Sequence, residues 1–88
     1  MRVIKEFSLE TAHIKFTLTI FASPDGKGFV GEYFGKAEKF GQVARPTLRS
    51  DEVSGRLERS DIDALIVACR AEIESIYGRI GRTVERNL

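Results

Sequence analysis

From Ala12 to Ala22 the chain alternates: Ala12, Ile14, Phe16, Leu18, Ile20 and Ala22 are apolar, and His13, Lys15, Thr17 and Thr19 between them are polar. A period of two belongs to a strand with one side in a core and the other toward water, because successive strand side chains leave opposite faces of the backbone. Such a strand needs neighbours to satisfy its edges and an apolar layer to cover its oily side. The cover is legible near the C-terminus, where Ile62, Leu65, Ile66, Cys69, Ile73, Ile76, Tyr77 and Ile80 recur at steps of three and four. That spacing makes one apolar stripe on a helix.

The remaining elements follow from local chemistry. Arg2 to Ser8 predicts a first strand, with Val3 and Phe7 on one side and Ile4 on the other. Ser23-Pro24-Asp25-Gly26-Lys27 predicts a hairpin with a three-residue loop, since proline presets φ, aspartate closes the turn and glycine accepts positive φ. Phe29 to Gly35 is the returning strand, and Gly31 in its interior predicts a bulge. The pattern weakens from Lys36 to Arg59; a fourth strand is placed within 42–50, and 51–58 reads as strand or turn. Ser60 with Asp63 predicts an N-cap and capping box, and Gly78 a C-cap, for a helix over about 61–77. Residues 79–88, with Arg79, Arg82 and Arg86 against Glu85, read as a frayed basic tail.

The chain therefore reads as one α+β domain over 1–88: residues 1–50 mostly antiparallel sheet of three to four strands in a meander, and 60–78 a helix packed on one face. With 88 residues the core is modest, so self-association is a natural supplement. The net charge of +1 supplies no domain-wide field for nucleic acid or anionic membrane. One cysteine, Cys69, lies on the helix stripe, where a thiol packs as a small hydrophobe. It cannot build a disulfide framework within the chain, and residues 1–10 carry charges in place of an apolar signal core. A cytoplasmic protein with no membrane attachment is expected, because no apolar run approaches the ~20 residues that span a bilayer.

No spacing supplies a catalytic, cofactor or metal site, and the chain is not expected to be an enzyme. Gly26-Lys27-Gly28-Phe29-Val30-Gly31 matches the G-x-G-x-x-G pattern, with Asp51 twenty residues on. That motif opens a helix onto a pyrophosphate, whereas β-branched and aromatic residues here continue into a strand. Lys27-Gly28-Phe29 and Phe34 fit four positions of a base-stacking aromatic octamer, but Gly31 and Glu32 occupy the positions that matter, so no family is identified. His13 is the sole histidine and has no Cys or His companion to complete a ligand set. Arg45, Arg49, Arg56 and Arg59 alternate with Asp51, Glu52 and Glu58, the mixture of signs typical of a solvated surface.

The candidate site is the sheet face away from the helix, and strand register decides what it displays. If Ser23 opposes Lys27, Phe21 lies against Phe29 on the polar face while Ile20 and Val30 point inward. A bulge at Gly31 then returns Tyr33 to the core opposite Leu18 and sends Glu32 and Phe34 outward. A one-residue slip would instead bury Phe29 and Tyr33. The favoured register predicts a core of Val3, Phe7, Ile14, Phe16, Leu18, Ile20, Val30 and the stripe from Ile62 to Ile76. It predicts an outer face of Phe21, Phe29, Phe34, Thr17 and Thr19. Three phenylalanines there call for a partner, either a second copy forming a homodimer or another protein. The alternative is a platform for single-stranded nucleic acid, with Lys15, Lys27, Lys36 and Lys39 on phosphate.

Overall fold

The alternating segment forms a strand of nine residues. In a computed structural model that describes residues 2–37 and 52–86, β2 covers Ile14–Ala22 and is the centre of the sheet. It is flanked by β1 (Val3–Glu10) and β3 (Phe29–Ala37); β4 (Glu52–Arg59) and β5 (Arg82–Arg86) complete the order β4-β3-β2-β1-β5. Every pairing is antiparallel. Helix α1, Ile62–Tyr77, lies across one face, and the fold is α+β.

Two strands go beyond the sequence reading. The segment 51–58, left between strand and turn, supplies edge strand β4. The supposed frayed tail supplies β5, for a reason the tail's own residues do not reveal. Ile80 is buried in the core, its N–H donates to Glu74 Oε2 at 2.8 Å, and the Gly81 N–H donates to the Glu10 carbonyl at 2.8 Å. The chain leaving the helix is thereby delivered to the edge of β1, where backbone pairing holds a strand whose side chains are all exposed. The strand expected within 42–50 lies outside the described residues.

The hairpin differs from the expected one by a single residue, which changes the facing of Phe29 and Val30, while Tyr33 opposes Leu18 and Glu32 and Phe34 point outward as expected. The Ser23 N–H donates to the Gly28 carbonyl at 2.9 Å, so the loop holds four residues instead of three. Asp25 Oδ1 accepts from the Lys27 N–H at 2.9 Å and from Ser23 Oγ at 2.7 Å, which ties Lys27 into the turn instead of the ladder. Those two bonds hold the Asp25 carboxyl below its ordinary range. Gly26 takes φ 75°, the region that favours glycine. Ala22 then opposes Phe29, and the pairing runs unbroken to Ile14 against Ala37. Gly31 forms no bulge; the irregularity lies in β1, between Val3 and Lys5.

This register is the alternative that sets Phe29, together with Tyr33, on the helix side. Phe29 faces the helix and packs half-buried against the core, so its assignment to the outer face is corrected. Val30 opposes Phe21 and is only 1% exposed, yet it stands on the side away from the helix and is not part of the core cluster expected to contain it. Val3 also opposes Phe21 and is 39% exposed, not buried. The core consists of Leu9, Phe16, Leu18, Ile20 and Tyr33 from the sheet with Leu65, Cys69, Ile73 and Ile80 from the C-terminal region. Leu9 and Ile80 are the members that the expected core left out. Phe7, Ile14, Ile62, Ile66 and Tyr77 border it, whereas Ile76, expected within the stripe, is 59% exposed.

Gly31 has a packing role. A Cβ there would stand 2.9 Å from Cys69 Sγ and 3.3 Å from Leu65, so its bare backbone is what lets α1 approach β3. The helix begins one residue later than its expected cap: Asp61, not Ser60, is the N-cap, and its Oδ2 accepts from the Ala64 N–H at 2.9 Å. Gly78, φ 106°, closes the other end, its N–H donating to the Glu74 carbonyl at 3.2 Å.

Candidate interaction face

With α1 on one side, the other side of the sheet can be read strand by strand from the register. Directly opposed residues of antiparallel strands share a face, so the pairings assemble rows that cross the sheet. One row runs Arg86, Glu6, Thr19, Glu32, Arg56 from β5 to β4. The next runs Val84, Ser8, Thr17, Phe34, Ser54. The third runs Arg82, Glu10, Lys15, Lys36, Glu52. Beyond the first, towards the hairpin, lie Val3, Phe21, Val30 and Glu58.

The face is thus a hydroxyl and apolar row between two charged ones. In the Arg86 row, Arg86 Nε is 3.7 Å from Glu6 Oε1, Thr19 Oγ1 donates to Glu6 Oε2 at 3.3 Å, and Arg56 Nε is 3.7 Å from Glu32 Oε2. Arg56 Nη2 also lies 3.5 Å from Glu58 Oε2 along the same strand. These pairs are largely solvated and each contributes under about 1 kcal/mol. Their effect is organisational: the paired positions Lys15, Lys36, Arg56, Arg82 and Arg86 are balanced by Glu6, Glu10, Glu32, Glu52 and Glu58, leaving the face without a net field.

Within the central row Phe34 is 49% exposed, between Thr17 and Ser54. It borders a shallow depression of about 500 Å³ whose wall includes Thr17, Thr19, Glu32, Ser54 and Arg56. The structure brings Thr17, Thr19 and Phe34 together, as expected, and places Phe21 on the same face four residues along β2 from Thr17, roughly 13 Å away. Phe29 is on the other side. The lysines are divided: Lys27 belongs to the hairpin loop, Lys15 and Lys36 oppose each other at the far end of the ladder, and Lys39 lies outside the described residues, as do Arg45, Arg49 and Asp51. Glu6, Ser8, Ser54 and Val84 were not singled out, and Arg56 was read as part of a solvated surface of mixed signs. The alternation of Glu6, Ser8 and Glu10 with Phe7 and Leu9 was visible, but only pairing shows which residues it stands beside.

Two other groups with chemistry, Tyr33 and Cys69, are enclosed. Tyr33 donates its hydroxyl to Glu72 Oε2 at 2.5 Å; burial first, then that carboxylate, pushes the phenol far above its ordinary value. Cys69 is buried, and burial followed by the Glu72 charge pushes its thiol up to about 11, keeping it protonated and unreactive at neutral pH. His13 is exposed in the turn before β2, where Thr11 Oγ1 accepts from the His13 and Ile14 N–H groups at 3.4 and 3.1 Å. Among the described residues no group of three or more His, Cys, Asp or Glu could hold a metal ion, and no helix is long and apolar enough to cross a membrane.

No family model, curated protein or solved structure matches the chain.

Proposed function

We propose that this chain is a small protein-binding module whose open sheet face docks a protein partner. The supporting observation is Phe34, half-exposed in the hydroxyl row, beside a shallow depression and framed by two rows of mixed charge. An apolar centre with a polar, charged rim is the anatomy of a protein contact. A platform for single-stranded nucleic acid is less well supported, because Phe29 belongs to the helix side and the outward lysines are matched by glutamates.

The charge rows also speak to the kind of partner. If two copies stacked face to face about an axis along β2, Arg86 would meet Arg56 and Glu6 would meet Glu32. About an axis along the central row, Glu32 would meet Lys36, but Arg86 would meet Arg82 and Glu6 would meet Glu10. Neither arrangement is complementary throughout, which favours a different protein on this face.

The test is a backbone amide titration of isotope-labelled protein. Shifts at Thr17, Phe34 and Ser54 on adding fractionated cell extract, abolished by Phe34→Asp, are expected. Shifts produced instead by single-stranded oligonucleotides at low salt and lost as salt is raised would replace this reading with nucleic-acid binding.

A further inference from the structure

The two ends of the sheet are not alike. Among the described residues no strand pairs with the outer edge of β4 or of β5, and an open edge invites another strand. A symmetric antiparallel pair between two copies must be centred on a residue, since opposed residues share a face and the twofold axis exchanges them. For β5 the register that uses the whole strand is centred on Val84 and opposes Arg82 with Arg86 of the copy, twice. That edge repels itself.

On β4 the outcome depends on the centre. Centring on Gly55 opposes Glu52 with Glu58, and centring on Arg56 opposes that arginine with its own copy. Centring on Leu57 opposes Arg56 with Glu58 twice on the open face and Leu57 with Leu57 on the helix side, where it already packs half-buried against the core. Centring on Ser54 also pairs opposite charges, Glu52 with Arg56, but sets serine against serine at the axis. Arg56 remains available to a copy, because its present partners, Glu32 and Glu58, are solvated and distant at 3.7 and 3.5 Å.

We propose that β4 pairs with β4 of a second copy about an axis at Leu57, joining two sheets into one with both helices on the same side. The backbone ladder supplies attraction, and the charge pattern selects the register. The pairing does not depend on the open face binding a partner. It would double that face, setting the two depressions on one surface either side of the axis.

Sedimentation equilibrium of the full chain over a concentration series tests it. A species of twice 9.9 kDa is expected. Arg56→Glu replaces two attractive pairs with two repulsive ones and is expected to weaken the dimer about tenfold or more, whereas Arg56→Glu with Glu58→Arg restores it. Rescue by the exchange separates pairing from misfolding. Under mild oxidation Leu57→Cys is expected to give a covalent dimer, because opposed Cα atoms of an antiparallel pair, about 4.5–5.5 Å apart, lie within disulfide reach. A monomer at every concentration, a dimer indifferent to Arg56→Glu, or cross-linking by Ser54→Cys but not Leu57→Cys would overturn the proposal.

Discussion

The helix-covered face and the open face of this sheet are built from alternate residues of the same strands, and they use opposite means of fitting their neighbours. On the covered side fit is steric. Gly31, Gly35 and Gly55 stand where helix or aromatic side chains press on the backbone: Cys69 and Leu65 over Gly31, the Phe16 ring and Ile14 over Gly35, the Tyr33 ring over Gly55. Phe16 then meets Tyr33 edge-on at 5.9 Å between ring centres and Tyr77 at 5.3 Å. On the open side fit is electrostatic, carried by solvated charges in cross-strand rows. A close-packed layer tolerates no added methyl group, whereas a solvated row can lose a charge at little cost. The covered face therefore specifies the fold, and the open face is the more tolerant of substitution.

Adjacent residues on opposite faces put that contrast to its hardest test. Leu18→Ala, emptying a fully buried site, is expected to cost about 3–4 kcal/mol by urea unfolding, and Thr17→Ala next to it under about 0.5 kcal/mol. Equal losses would break the distinction. Gly35→Ala is expected to cost about 2 kcal/mol, since its Cβ would lie 2.6 Å from the buried Phe16 ring, and a thermal melt reads the loss.

The enclosed acids sharpen the comparison through pH. Cys69 ionises near 9.0 when unfolded and at about 11 when folded, so the folded chain holds the proton more tightly. Its contribution is complete below pH 9 and is lost as pH rises toward 11, on the order of 2 kcal/mol; Tyr33, raised from 10.0, adds loss in the same direction. Urea midpoints measured from pH 7 to 11 should fall, and Cys69→Ala should remove the earlier part of that fall. Tyr33→Phe, which leaves Glu72 without its donor, is expected to cost about 1 kcal/mol at neutral pH. The smallest effect belongs to the open face: Glu32→Gln is expected to shift stability by less than about 0.5 kcal/mol while altering whatever binding the amide titration detects.

Much of the fold was legible because it rests on local rules. The period of two in β2, the three-four spacing of Leu65, Cys69 and Ile73, and Gly78 as helix stop are written in consecutive residues. What failed was decided by a count of one. A fourth loop residue, tied in by Asp25, moved Phe29 to the helix side and set Val30, still buried, on the side away from the helix, because side chains change sides when register shifts by one. Gly31 was read as a bulge since a strand glycine has two common uses, and only the position of Cys69 tells them apart. β5 escaped notice because its stability derives from the edge of β1 and the burial of Ile80, neither of which is present in the pattern Arg82–Arg86.

By itself, then, the amino-acid sequence determined that a half-buried strand would belong to an antiparallel sheet and that one amphipathic helix would cover it, since periodicity acts within a few residues. The tertiary structure alone decided which phenylalanines face outward, which charges stand in rows, and which strands form the ends of the sheet. Those are properties of opposed strands, and residues far apart in the chain become opposed only when the sheet has closed.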